Sequence, residues 1–96
     1  MKAKKIVQEL ETAAKLLGLE IRKGKGSFRG GLCTISGQET IVLNKLHVPE
    51  VHITILAESI KSYPIDSLEL KPAVKKALED AWDAQAAMVA EDIEAE

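Results

Sequence analysis

Ninety-six residues, 46% hydrophobic and 29% charged, suffice for one domain with a single core and leave no room for a second domain or for disorder over most of the chain. Phe28, Tyr63 and Trp82 are the only aromatics, so aliphatic side chains must fill the interior, and no run of rings exists on which bases could stack. A net charge of −2 hides an asymmetry: the first thirty residues carry eight Lys/Arg against three Asp/Glu, the rest five against twelve. This favours pairing within or between copies and leaves only a local patch to attract a polyanion.

The basic start, Met1 to Lys5, is followed by Gln8, Glu9, Glu11 and Lys15, so it reads as a helix start and not as an export signal, whose core is apolar. No stretch approaches the roughly 18 apolar residues of a membrane span. Ile6, Leu10, Ala13, Ala14 and Leu17 share one helical face, predicting a first helix over about residues 3–17 with Gly18 just past its end. Leu19 and Ile21 alternate with charged residues as a short strand, which Gly24, Gly26 and the intervening Lys25 interrupt. Leu32 to Ile35 and Thr40 to Leu43 form a hairpin in which Gly37 supplies the turn. Alternation sets Cys33 and Val42 on one face and Leu32, Ile41 and Leu43 on the other. Pro49 opens a second helix, with Ile53, Leu56, Ala57 and Ile60 on its apolar face, and Tyr63-Pro64 ends it. After a turn at Asp66-Ser67 and a brief extended segment at Leu68 to Leu70, Pro72 opens a third helix. Its buried stripe runs through Val74, Ala77, Leu78, Ala81, Trp82 and Met88.

The expected architecture is a single α+β domain over residues 1–90: an N-terminal helix, a three-stranded antiparallel sheet and two C-terminal helices, followed by an acidic tail at 91–96. A third helix reaching Ala90 is about 28 Å long, so its end projects, and Ala81, Ala84 and Met88 can pack against a second copy.

Candidate chemistry is sparse. The segment Arg22 to Gly31 brings Arg22, Lys23, Lys25, Phe28 and Arg29 together on a glycine-rich loop able to meet a phosphate or a partner. Its G-x-G-x-x-x-G spacing is one residue longer than the dinucleotide fingerprint, and the Walker order is missing. His47, His52, Cys33 and Glu50 resemble a metal set, but the histidines stand at i and i+5 across Pro49, which does not fit a helical zinc motif. No serine lies in a nucleophile-elbow setting. Cys33 with either histidine forms a conceivable thiolate pair, although an apolar strand should raise the pKa of a buried thiol. No metal or cofactor is therefore expected. With one cysteine no intrachain disulfide can form, and the simplest setting is a reducing, cytoplasmic one.

The segment Gly26-Ser27-Phe28-Arg29-Gly30-Gly31-Leu32-Cys33, the strand end Ile41-Val42-Leu43-Asn44-Lys45 and the helix Leu56-Ala57-Glu58-Ser59-Ile60 resemble a group of small bacterial proteins of unassigned function. These share a G-S-F-x-G-G-x-C loop, an I-x-x-N-[KR] strand end and an L-A-E helix. The likeness implies a compact α+β fold in the bacterial cytoplasm and no particular activity. More distantly, Ile41 to Asn44 leading into Ile55-Leu56-Ala57 is similar to the strand and active-site helix of ImmA/IrrE-type zinc peptidases. Glu58, Ser59 and Ser62 stand where that pattern has its first histidine, base and second histidine. The likeness thus implies either a non-catalytic relative or a recurrent strand-to-helix unit.

These features favour a non-enzymatic interaction or regulatory module that forms a homodimer or takes a protein partner, presenting the basic loop and the acidic end of the third helix. An RNA or phosphometabolite binder acting through Arg22, Lys23, Lys25 and Arg29 is the alternative, and a cysteine-dependent enzyme a weaker one. Nucleic acid is disfavoured by the overall charge but stays open for the local patch, and no membrane contact is expected.

Overall fold

Apolar residues three and four apart turn Ala3–Leu16 into the first helix, α1, of a computed structural model that describes residues 1–95, with side chains described through residue 86. Gly18 then reverses the chain at φ +91. Leu19 donates its N–H to Ala14 O at 3.0 Å and Gly18 donates to Lys15 O at 3.0 Å, the double closure that satisfies helix-end carbonyls. There follow β1 (Glu20–Gly24), β2 (Gly31–Ile35), β3 (Gln38–Asn44), α2 (Pro49–Ile60), a short 3-10 turn at Ile65–Ser67 and α3 (Pro72–Ala95). Pro49 and Pro72 open their helices, where the missing N–H costs nothing.

The sheet corrects the antiparallel expectation: it is mixed, in the order β1-β3-β2. β2 and β3 form the expected antiparallel hairpin, with Leu32 opposite Ile41 and Cys33 opposite Thr40. β1 pairs parallel to β3 from Glu20 opposite Thr40 to Gly24 opposite Asn44. The reason lies in the connection. After Gly24 the chain does not turn back as a hairpin but crosses the C-terminal end of β3 before entering β2, so β3 is inserted between its two predecessors. A parallel pair needs a crossover of about a dozen residues, and the loop together with β2 supplies it.

Ile41 and Leu43 point to the helices and are fully buried with Leu10, Ile55, Leu56, Ile60, Val74 and Leu78. Truncating any of these to Ala should cost about 2–5 kcal/mol, the usual range for a large aliphatic core residue. α3 is held at two points. Trp82 donates its indole N–H to Ala57 O at 2.8 Å, and Lys71 Nζ meets Glu9 Oε1 at 3.0 Å, tying the start of α3 to α1. Ala81 packs in part against this chain's own core, whereas Ala84 is exposed. The side chains of Met88 and of the 91–96 segment lie outside the described ones, and the backbone of α3 continues to Ala95. Among the described residues no helix is long and apolar enough to cross a membrane.

The hairpin turn is tighter than four residues: Ser36 and Gly37 alone make it, at φ 50 and 80. Both central residues thus adopt positive φ, a conformation that Asn-Gly fits and serine does not. Ser36→Asn should therefore raise stability by about 0.5–1 kcal/mol, read as a shift in denaturant midpoint at constant slope.

The Glu9 carboxyl is held below the ordinary carboxylate range, first by its hydrogen bond from Lys71, with the Lys71 and Lys5 charges adding and partial desolvation opposing. A carboxyl whose folded pKa lies below its unfolded one stabilises above the ordinary range, and the effect is lost as pH falls through the folded value. Lys71→Met should accordingly flatten the loss of stability on acidification between about pH 5 and pH 3. Chemical denaturation at stepped pH measures this, and an unchanged slope would contradict it.

Candidate functional site

The loop from Lys25 to Gly30 is a crossing tethered to the end of β3. Asn44, at the end of β3 and only 2% exposed, donates from Nδ2 to Gly26 O at 2.7 Å and to Phe28 O at 2.7 Å. Its Oδ1 accepts from the Leu46 N–H at 3.0 Å. Both amide protons are thereby used, and their geometry fixes which end of the side chain is nitrogen. The Asn44 carbonyl accepts the His47 N–H at 3.0 Å and pairs with His52 Nε2 at 2.7 Å, so His52 carries its proton on Nε2. Lys45 adds a backbone bond to Gly24 O at 2.8 Å. One residue thus joins the loop, the end of the sheet and the start of α2.

Gly30 completes the crossing. Its φ is +89, and a Cβ there would come within 2.4 Å of Val42 O, closer than any side chain tolerates, so the loop rests directly on the β3 backbone. The Phe28 ring folds back over the two preceding glycines, where a Cβ on Gly26 would meet it at 3.2 Å. Phe28 remains 37% exposed.

The four expected cations divide into two pairs. Arg29 Nη2 meets Glu58 Oε1 of α2 at 2.6 Å, and Lys23 Nζ meets Glu11 Oε1 of α1 at 3.1 Å. Arg22 and Lys25 are exposed, and among the described residues neither stands in an ion pair. Exposed ion pairs are worth about 0–1 kcal/mol, so Glu11 and Glu58 halve the local charge excess without locking the cations away. An open groove of about 610 Å³ runs beside the loop, lined by Ser27, Phe28, Arg29, Asn44, Leu46 and His47.

His52 lies on the other side of the same junction, and His47 borders both sides. Their ring centroids are 6.4 Å apart and tilted, and with Lys4, Gln8, Glu11 and Lys23 they border a cleft of about 360 Å³ between α1 and the start of α2. His47 Nδ1 is buried and finds no hydrogen-bond partner there. Among the described residues no group of three or more His, Cys, Asp or Glu side chains is placed to hold a metal ion. Cys33 is exposed on β2, opposite Thr40, which corrects the expectation of a buried thiol: β2 is an edge strand, and the Cys33 side chain points away from the helices. Thr40 and Asn44 are separated by about 13 Å of strand, with the histidines beyond Asn44, so thiol and imidazole are not brought together.

What sequence reasoning missed is the role of Asn44, which entered only as the asparagine of the I-x-x-N-[KR] strand end. A polar side chain closing an apolar strand on the face opposite Ile41 and Leu43 is a position shared by many residues that bond nothing but water. The chain matches no protein-family model, no curated protein and no solved structure.

Asn44→Ala should cost about 2–3 kcal/mol, because two loop carbonyls and the Leu46 N–H lose their partner. Asn44→Asp should cost more, since a carboxylate turns an acceptor toward the Gly26 and Phe28 carbonyls. Equal stability of the Ala and Asp variants in urea titrations would refute this arrangement.

Proposed function

We propose that this chain is a non-enzymatic interaction module that self-associates. The observation that supports this reading is the free side of β2. Leu32, Cys33 and Thr34 are consecutive exposed residues on an edge strand, and Leu32, 40% exposed, lies on the same face as the buried Ile41. A strand edge that is open, uncharged and partly apolar is a surface that proteins normally cover or charge unless a partner meets it. The basic loop and its groove lie at one end of this edge and offer a second contact surface.

Polyanion binding through the loop is the second reading, supported by the exposed side chains of Arg22 and Lys25. It ranks below self-association because Lys23 and Arg29 each face a carboxylate at contact distance. Its mark is an affinity for RNA or polyphosphate that falls steeply with salt and with Arg22→Ala and Lys25→Ala, as counterion release requires.

Sedimentation equilibrium at low and high salt tests the first reading. A dimer that persists in high salt is expected, because the edge is uncharged and salt screens only charge–charge contacts. A species that stays monomeric at every concentration, with polyanion binding of the steep kind, would replace self-association by the second reading.

A further inference from the structure

Resting on that self-association, we infer that the partner is a second copy of this chain and that the two copies join β2 to β2, antiparallel across a two-fold axis at Cys33, making one six-stranded sheet. The argument begins with the turn. In a two-residue hairpin the closing residues, here Ile35 and Gln38, exchange both backbone hydrogen bonds, and such pairs alternate along the ladder. Cys33 with Thr40 and Gly31 with Val42 are therefore bonded pairs. The N–H and C=O groups of Leu32 and Thr34 point the opposite way, out of the sheet.

The two edges of this sheet are unlike. β1 carries Glu20, Arg22 and Lys23 among its five residues, the charge pattern that keeps an edge from pairing. β2 reads Gly-Leu-Cys-Thr-Ile, without charge or proline, and its middle three residues are exposed.

Backbone conformation then selects the register. Gly30 at φ +89 and Ser36 at φ 50 bound the strand with non-extended residues, so only Leu32 and Thr34 can offer outward groups to a neighbouring strand. An antiparallel pairing that uses both on both copies matches Leu32 with Thr34 of the second copy, twice, and places Cys33 opposite Cys33 of the second copy as the non-bonded pair. Cα atoms in such a pair are about 4.5 Å apart. Charge agrees with this direction. Arg29 precedes β2 and Glu39 follows its turn, so an antiparallel alignment sets the Arg29 end of each copy beside the Glu39 end of the other, whereas a parallel one opposes like charges. Leu32 approaches Leu32 of the second copy diagonally, covering its exposed surface.

Thr34 and Cys33 provide the test on the full chain. Thr34→Pro removes an outward N–H and leaves the backbone β2–β3 ladder in place, losing only the exposed Thr34 Oγ1 to Glu39 Oε1 bond toward β3, and should weaken dimerisation in sedimentation equilibrium by roughly tenfold or more while the circular dichroism melt is kept. Thr34→Lys, which charges the edge, provides the second variant should proline disturb folding. Under diamide, which takes the two electrons from a pair of thiols, the native protein should give a covalent dimer on a non-reducing gel. A Cys33→Ser, Leu16→Cys variant, whose thiol lies on exposed α1 surface, should do so far more slowly. A native dimer that survives both Thr34 variants, or that fails to cross-link through Cys33, overturns the strand pairing while leaving self-association in place. A native protein that is monomeric throughout overturns both.

Discussion

The side chain of Asn44 is the constraint on which the arrangement turns. A loop that crosses the end of a strand carries backbone carbonyls that no ladder satisfies, and a buried side-chain amide aimed at them fixes where the crossing lies. Asn44 spends both of its amide protons on two of them, Gly26 O and Phe28 O, and takes one loop N–H in return. The crossing pinned there carries the chain from β1 over the end of β3 to β2, leaving β1 and β2 on opposite sides of β3 and β1 parallel to it. No aliphatic residue could do the same, and neither could Asp, which has no proton to donate when ionised.

The charges of the first thirty residues act locally rather than as a long-range field. Lys23 and Arg29 each find an acid on a helix, Glu11 and Glu58, so the basic loop is clipped to α1 and α2 as well as to the sheet. Each clip is weak, about 0–1 kcal/mol by the usual measure of exposed pairs. What they change more is the charge the loop presents, since two of its four cations face a carboxylate. Lys71 with Glu9 works in the same way, also on α1, where it ties down the start of α3. The thrust of the folding free energy comes instead from one aliphatic cluster spanning α1, β3, α2 and α3.

The proposed self-association and the fold meet at the edge of the sheet. Three strands leave two edges, and only β1 carries the charges that discourage pairing. The same crossing that Asn44 holds in place puts the uncharged β2 at the other edge. Had β1 paired with β2, as a simple meander would have it, β2 would be central and its polar groups satisfied within the chain. Strand order therefore determines which backbone groups are free.

Much of this protein is written in local sequence. The 3.6-residue spacing in α1 and α2, the prolines that open α2 and α3, the glycine that ends α1 and the turn glycine of the hairpin all act over a few residues, so element types and the two faces of β3 follow without knowledge of distant contacts. The core was legible for the same reason, as Ile41, Leu56, Leu78 and their neighbours lie on the expected faces. Strand order, the parallel pair, the role of Asn44, the ion pairs of Lys23 and Arg29 and the exposure of Cys33 were not legible. Asn44 meets residues sixteen and eighteen positions away, and Arg29 meets one twenty-nine positions away. Composition and periodicity carry no record of which distant backbone group a polar side chain will reach. Local sequence determined the elements and the face each one buries, and the tertiary structure alone decided their order and their polar connections, because hydrogen bonds and ion pairs form between whatever groups packing brings within about 3 Å.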